Sequence, residues 1–404
     1  MVNDYMKLLI ASDAHIFKTS DGKYWSKYIY DYQFWTRYLN IFNSVRIVAR
    51  VKPIDELKSD LKQVDGYGVE VYEIPFYQGP KQLLFKYFSI HNALRGVHIG
   101  CDAALLRMPS QIAQMTLSHI KNKLPIAGEI VYDPSDDLRR NDINFFQRIL
   151  YEIIHTNLKM FCASVNGVSY VTKNSIQKNY PSHASLFGES DKYFETFYST
   201  ITLEKSAFTS PRDYSTITSL CAVLSDVAMN GERKGEKTLI EAIKKGRDKG
   251  YDLRAIIVGD GHKRIEFEKY AQKLEVLKYI NFTGLLPSSH EVREVMLKAD
   301  IFVFPTRAEG LPRGILEAMA IGMPVLSTPV GGIPEVLDED CMFDPMDSSS
   351  FCNAMCDMLE NPSKLTELSK KNYLIAKQFE NSILQKRRDE FYAKIIALCK
   401  KSEV

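Results

Sequence analysis

Short apolar runs and amphipathic stretches take turns along this chain. "KLLIAS" (7–12), "SVRIVARV" (44–51), "GVEVYEIP" (68–75), "AALLRMP" (103–109), "PIAGEIVYDP" (125–134) and "VSYVT" (168–172) hold apolar residues closed by polar or turn-forming ones, as buried strands do. Between them, "SQIAQMTLSHIK" (110–121) repeats its apolar positions at helical spacing. A second series starts at "SLCAVLS" (219–225) and continues through "LRAIIVGDG" (253–261), "YINFTGLL" (279–286), "IFVFPT" (301–306) and "PVLST" (324–328). Its helices are "KTLIEAIKKGRDKG" (237–250), "RIEFEKYAQKLEV" (264–276), "HEVREVMLKAD" (290–300) and a stretch over about 312–321. Strands alternating with helices predict parallel sheets flanked by helices. Two such series predict an α/β chain of two Rossmann-like, doubly wound domains facing across a cleft, over residues 1–205 and 206–385. Residues 181–216, rich in Ser, Thr and aromatics without a clean period, read as an irregular connector. The helical tail is expected to bring residues 386–404 back to the first domain.

Composition narrows this picture. A chain of 404 residues, 45% hydrophobic and 25% charged, suits a soluble globular protein with a sizeable core in each half. A net charge of +2 gives no reason to expect a nucleic-acid partner. The seven cysteines include no CxxC pair, and buried thiols in a reducing compartment are expected. Cys352 and Cys356 are spaced for one helix face. No apolar run approaches the ~18–20 residues that span a bilayer, and the start lacks a secretory pattern. The expected location is cytoplasmic, with peripheral contact at the inner face of the cell membrane. The first 42 residues hold both tryptophans, in "YWSKYIYDYQFW". Such rings pack between helices, stack on sugars or lie on lipid headgroups.

The chemistry centres on "EGLPRGILE" (309–317), which follows a predicted strand ending near Thr306. Ligands of open parallel sheets bind beyond the carboxyl ends of strands. Pro312 is suited to open the next helix, and the free N–H groups of a first turn favour phosphate. Gly310 and Gly314 allow close backbone approach. Glu309 and Glu317 can each accept hydrogen bonds from hydroxyls. Two plainer roles suit the same residues: Glu309 complementing the helix dipole, worth ~0.3–1 kcal/mol, and Glu317 pairing with Arg313 four residues away.

The wider context resembles the retaining glycosyltransferases of family 4, which have the GT-B fold. Their donor motif, two glutamates eight residues apart in a pattern like "PSxxEGxGxxxLEAMAxGxPV", stands here as "PTRAEGLPRGILEAMAIGMPVLSTPVGGIPEVL". "KGEKTLIEA" (234–242), "VGDG" (258–261), "FTG" (282–284) and "ADIFVFP" (299–305) follow the family's order, so the likeness covers about 230–345. The first half matches only in rhythm.

The resemblance implies a nucleotide-sugar-binding second domain and an acceptor-side first domain. Glu309 would bind the donor sugar's hydroxyls and Glu317 the ribose. The backbone of Gly310, Leu311, Pro312 and Arg313 would meet sugar and diphosphate. Lys234 would neutralise the diphosphate, Leu285 would lie by the base, and Gly259 and Thr306 would line the donor site. Met229 stands where the family usually has an arginine, which makes Arg233 the candidate substitute. Asp133 is a further candidate catalytic group, and Asp13, His15 and Arg107 are candidates for the acceptor side. The family's glycine loop after the first strand is missing.

The implied reaction moves a sugar from a nucleoside-diphosphate sugar to a saccharide or lipid-linked saccharide, with retention and no metal or other cofactor. Two alternatives share the fold: a sugar-nucleotide 2-epimerase, and a catalytically silent sugar-nucleotide-binding subunit. "VGDGHK" has too few glycines for a nicotinamide site. "DED" (338–340) reads as solvated charge, and His262 and His290 stand apart from other ligand types.

Overall fold

The computed structural model describes residues 5–27, 29–58, 60–138 and 143–401. It divides into two compact units: residues 1–135, 144–198 and 385–404, and residues 136–143 with 199–384.

Elements of the first unit run β1 (Lys7–Lys18), β2 (Tyr24–Ser26), α1 (Tyr32–Thr36), β3 (Ser44–Pro53), β4 (Lys62–Gln63), β5 (Val69–Pro75), α2 (Gly79–Ala93), β6 (Ala103–Met108), α3 (Gln111–Ile120) and β7 (Ile126–Ile130). After the short α4 (Ser135–Leu138), which from Asp136 onward belongs to the second unit, come α5 (Phe145–Ser164), β8 (Gly167–Tyr170), α6 (Ser175–Asn179), α7 (His183–Phe187) and β9 (Phe194–Phe197). The main strands are parallel in the order β5-β3-β1-β6-β7-β8-β9, and β2 and β4 extend β1 antiparallel. The region expected to be an irregular connector from 181 thus begins with α7 and the edge strand β9. Its four strand residues are too few to show a period, but Phe194 is buried against Phe391.

Two strand glycines admit aromatic rings from neighbouring elements. A Cβ at Gly128 would sit 2.4 Å from the Phe161 ring of α5, and one at Gly167 would sit 2.6 Å from Phe194 and 3.1 Å from Phe391. Of the tryptophans, Trp35 is fully buried and stacks on Tyr30 at 5.5 Å, so this ring belongs to packing.

The second unit runs β10 (Leu220–Ala228), α8 (Glu236–Asp248), β11 (Leu253–Asp260), α9 (Arg264–Lys273), β12 (Ile280–Gly284), α10 (Ser289–Leu297), β13 (Ile301–Val303), α11 (Arg313–Ala320) and β14 (Val325–Leu326), then α12 (Ser348–Glu360) and α13 (Pro362–Lys377). Its five parallel strands take the order β12-β11-β10-β13-β14. The order reverses between β10 and β13, which leaves a crevice beyond their carboxyl ends. Cys352 and Cys356 lie one turn apart on α12, buried, with sulfurs 4.0 Å apart and unbridged. The last helix, α14 (Asn381–Lys401), begins in this unit and belongs to the first from Gln385 onward.

Candidate active site

The crevice at the reversal is built by glycines that let backbone segments touch. Gly235 closes the β10–α8 loop with φ +86°, and a Cβ there would lie 2.3 Å from the Pro305 carbonyl. Gly331 has φ +55°, and its Cβ would meet the Glu309 carbonyl at 2.1 Å; the Gly332 N–H donates to the Gly310 carbonyl at 2.6 Å. The segment 309–310 is therefore held from behind by the "VGG" turn. Thr306 is buried and donates to the Arg233 carbonyl, while the Arg307 N–H donates to that same carbonyl at 2.9 Å. Thr328 in turn donates to the Thr306 carbonyl at 2.7 Å.

Lys234 and Glu309 meet in this frame. The ammonium donates to the Glu309 carboxylate and lies 5.2 Å over the Phe304 ring. The single Thr306 hydroxyl proton is shared between the Arg233 carbonyl and this same carboxylate oxygen, each 3.2 Å from Oγ1. The pair is partly open, with side chains 29% and 14% exposed. Lys234 itself precedes the helix: α8 starts at Glu236 behind Gly235. Likewise α11 starts at Arg313, with Pro312 as its cap and not its first residue. Two helix starts, one cation and one carboxylate thus share the reversal point, an arrangement that favours a phosphate beside a hydroxyl-rich group.

The other second-unit candidates occupy defined places. Leu311 and Pro312 are buried, and Arg313 is exposed on the first turn of α11. Glu317 lies one turn further, where burial holds its carboxyl above the ordinary range, opposed by Arg313. Arg233 brings its guanidinium 3.5 Å from Asp137, within the segment 136–143 that this unit includes. Leu285 is exposed just after β12. Gly259, at φ +132°, serves the backbone: a Cβ would lie 1.7 Å from the Asp226 carbonyl.

Sequence reading passed over Glu236. It is fully buried, and burial, followed by interaction with the neighbouring Asp226 carboxyl, pushes its pKa up to about 8. The available signal was its place directly after Lys234-Gly235 at a helix start.

In the first unit, two candidates lie elsewhere than expected. Arg107 and Asp133 read as charges at strand ends, free to meet a ligand; both are buried and engaged within the unit. Arg107 lies directly across from Glu129 in the β6–β7 register and donates to its carboxylate. That carboxylate also accepts from Tyr38 at 3.2 Å and from Tyr198 and Tyr392 at 2.9 Å each. Asp133 accepts from the Ser135 N–H at 2.8 Å, Asn179 Nδ2 at 2.8 Å and the Tyr180 hydroxyl at 2.9 Å, so it braces the loop after β7. Asp13 and His15 lie on β1, next to β6 where this sheet reverses order. Burial raises the Asp13 pKa against the pull of Arg50; burial and the same guanidinium lower that of His15.

"DED" lies in a loop where Lys371 holds Asp338 at 2.7 Å. Among the described residues, no cluster of His, Cys, Asp and Glu suits a metal ion, and no helix is long and apolar enough to cross a membrane.

Comparison with known proteins follows this division of the chain. Residues 222–361 match the family described as Glycosyl transferases group 1. Protein CapJ of Staphylococcus aureus is 25% identical over 95% of this chain and 90% of its own. The putative colanic acid biosynthesis glycosyltransferase WcaL of Escherichia coli is 33% identical, over only 28% of this chain and 29% of its own. Among solved structures, sucrose-phosphate synthase from Thermosynechococcus elongatus superposes with a TM-score of 0.72 at 16% identity, over 97% of this chain and 100% of that one. WaaG, a glycosyltransferase involved in lipopolysaccharide biosynthesis, gives 0.63 at 14% identity, over 95% and 98%. The chain is thus a glycosyltransferase of the GT-B fold, and its glycosyl transferases group 1 domain occupies residues 222–361.

Proposed function

We propose that the enzyme transfers a sugar from a nucleoside-diphosphate sugar to an acceptor hydroxyl with retention of configuration, in the assembly of a cell-surface polysaccharide or glycolipid. The observation that carries this reading is the meeting of Lys234 and Glu309 at the strand-order reversal, between two helix starts. A diphosphate entering there draws the ammonium to itself and frees the Glu309 carboxylate to accept from sugar hydroxyls. Glu317, one turn deeper, takes the ribose, and Leu285 lies by the base. Negative charge grows on the leaving diphosphate as the glycosidic bond breaks. Lys234, Arg233 and the first-turn amides of α11 stabilise it by preorganised electrostatics. The leaving oxygen takes the acceptor's proton, so no metal is called for. Asp13 and His15 remain the acceptor-side candidates; Arg107 and Asp133 do not.

Work at the inner face of the cell membrane, on a saccharide or lipid-linked saccharide, fits the colanic acid biosynthesis name of one relative. The test is release of nucleoside diphosphate from a panel of nucleotide sugars, with and without acceptor saccharides and with EDTA. Acceptor-dependent release that survives the chelator, giving a product of the donor's anomeric form, is expected. Release without acceptor would indicate the epimerase, and no release with any donor the silent subunit.

A further inference from the structure

Two helices of the first unit are built unlike the rest. Their C-terminal halves reach the core, through Ile90 on α2 and Leu158, Phe161 and Cys162 on α5. Their N-terminal halves stand clear of the sheet. On α2, Leu84 and Phe85 are exposed, Phe85 to 88%, and the exposed face continues just past the middle of the helix to Phe88. On α5, Phe145, Ile149 and Ile153 form one row at i, i+4, i+8, with Phe146 and Leu150 beside it, and Phe146 is 80% exposed. So many large apolar groups on two helix tips mark an interaction surface.

The topology sets both tips on one side. The crossovers β5–β6, β6–β7 and β7–β8 all step the same way along the sheet. Right-handed connections therefore put α2, α3 and α5 on one face. The contact of His91 on α2 with His119 on α3, at 2.9 Å, agrees with this. Each helix starts where its strand ends, so both exposed halves lie toward the carboxyl edge of the sheet, the edge that takes ligands.

Charge selects the occupant. Helix α2 carries Lys81 and Lys86 and no carboxylate; α5 carries Arg148 and Lys159 with one acid, Glu152. A twofold contact with a second copy would set these cations against one another. Exposed aromatics fringed by lysine and arginine fit an anionic bilayer, where apolar burial and charge act together. We infer that the N-terminal halves of α2 and α5 form the surface by which this enzyme sits on an anionic membrane, bringing the acceptor-side edge to a lipid-linked acceptor. This rests on the reading of the acceptor given above.

The test is flotation of the full chain with vesicles of phosphatidylcholine alone or mixed with an equal part of phosphatidylglycerol. The wild type is expected to float with the mixed vesicles only. Phe85→Ser with Phe88→Ser, and separately Phe145→Ser with Phe146→Ser, should each lower partitioning at least about tenfold. Neutralising Lys81 and Lys86 should lower it about fivefold per charge. All four residues are exposed, so circular dichroism and thermal unfolding should match the wild type. No flotation of the wild type, or flotation equal in every variant, overturns the inference. Self-association lost in the same variants assigns the surface to a second copy instead. Calorimetry with nucleoside diphosphates keeps the two ideas apart: failure to bind nucleotide would sink the donor reading, while vesicle partitioning would be judged by itself.

Discussion

Each unit contains a pair of opposite charges at the centre of its sheet, and the two pairs differ in what else surrounds them. Lys234 and Glu309 keep 29% and 14% of their side chains open, and besides each other they meet the Thr306 hydroxyl and the Phe304 ring. Arg107 and Glu129 are each 4% open, and three tyrosines fill the carboxylate's remaining sites. An ion pair with open sides can exchange its partner for a ligand. One whose carboxylate is filled by donors inside the protein serves to hold the fold.

Breaking the closed pair should cost the most. Arg107→Met leaves the Glu129 carboxylate buried without its cation, which should lower stability by about 3–5 kcal/mol. Urea denaturation measures this, and an unchanged midpoint would refute the structural role. Glu309→Ala should reduce transfer by more than ~100-fold, about 3 kcal/mol in the barrier, with little change in the unfolding midpoint. Turnover within a few-fold of wild type would remove Glu309 from the site.

Lys234→Ala should weaken nucleoside-diphosphate binding about 10–150-fold, as expected for a charge-assisted hydrogen bond of roughly 1.5–3 kcal/mol. Binding of the bare nucleoside should hardly change. Stability should move by less than ~1 kcal/mol, because the pair is partly solvated. Calorimetry with both ligands decides, and equal losses would misplace the phosphate.

The comparison can also be sharpened by pH. Folded, Glu236 keeps its proton up to about pH 8, whereas its ordinary value is 4.5. Between those values the native state binds more protons than the unfolded one, so stability falls as pH rises through that window. Glu236→Gln should remove this slope. It should be nearly equal to wild type at pH 5 and the more stable of the two at pH 8, by thermal unfolding in both buffers. A slope that persists in the variant would assign it to another group.

The second unit was legible because its site lies within short loops after strands. "RAEG" follows an apolar run directly and four residues separate "RKG" from the end of β10, so sequence distance and spatial distance stay close. In the first unit the decisive contacts are far apart in the chain. Arg107 and Glu129 each interrupt an apolar strand run, a signal that they pair, but only the β6–β7 register sets them opposite one another. Asp133 reads as a loop charge until Asn179 and Tyr180, 46 and 47 residues on, fold over it. Helices α2 and α5 were missed because their exposed halves are apolar, which breaks the pattern of one buried face per helix.

The Glu129 carboxylate has a consequence for how the protein is made. It waits for a hydroxyl, that of Tyr392, which leaves the ribosome 263 residues later. Residues 199–384 form the rest of the second unit and are complete before that tyrosine appears. Domains usually mature in the order of synthesis. Here the unit begun first should be the last to close, its arginine pair and its Gly167 groove awaiting the final helix. Pulse proteolysis of stalled chains should find the second unit protected first, and the first unit protected only once α14 has emerged.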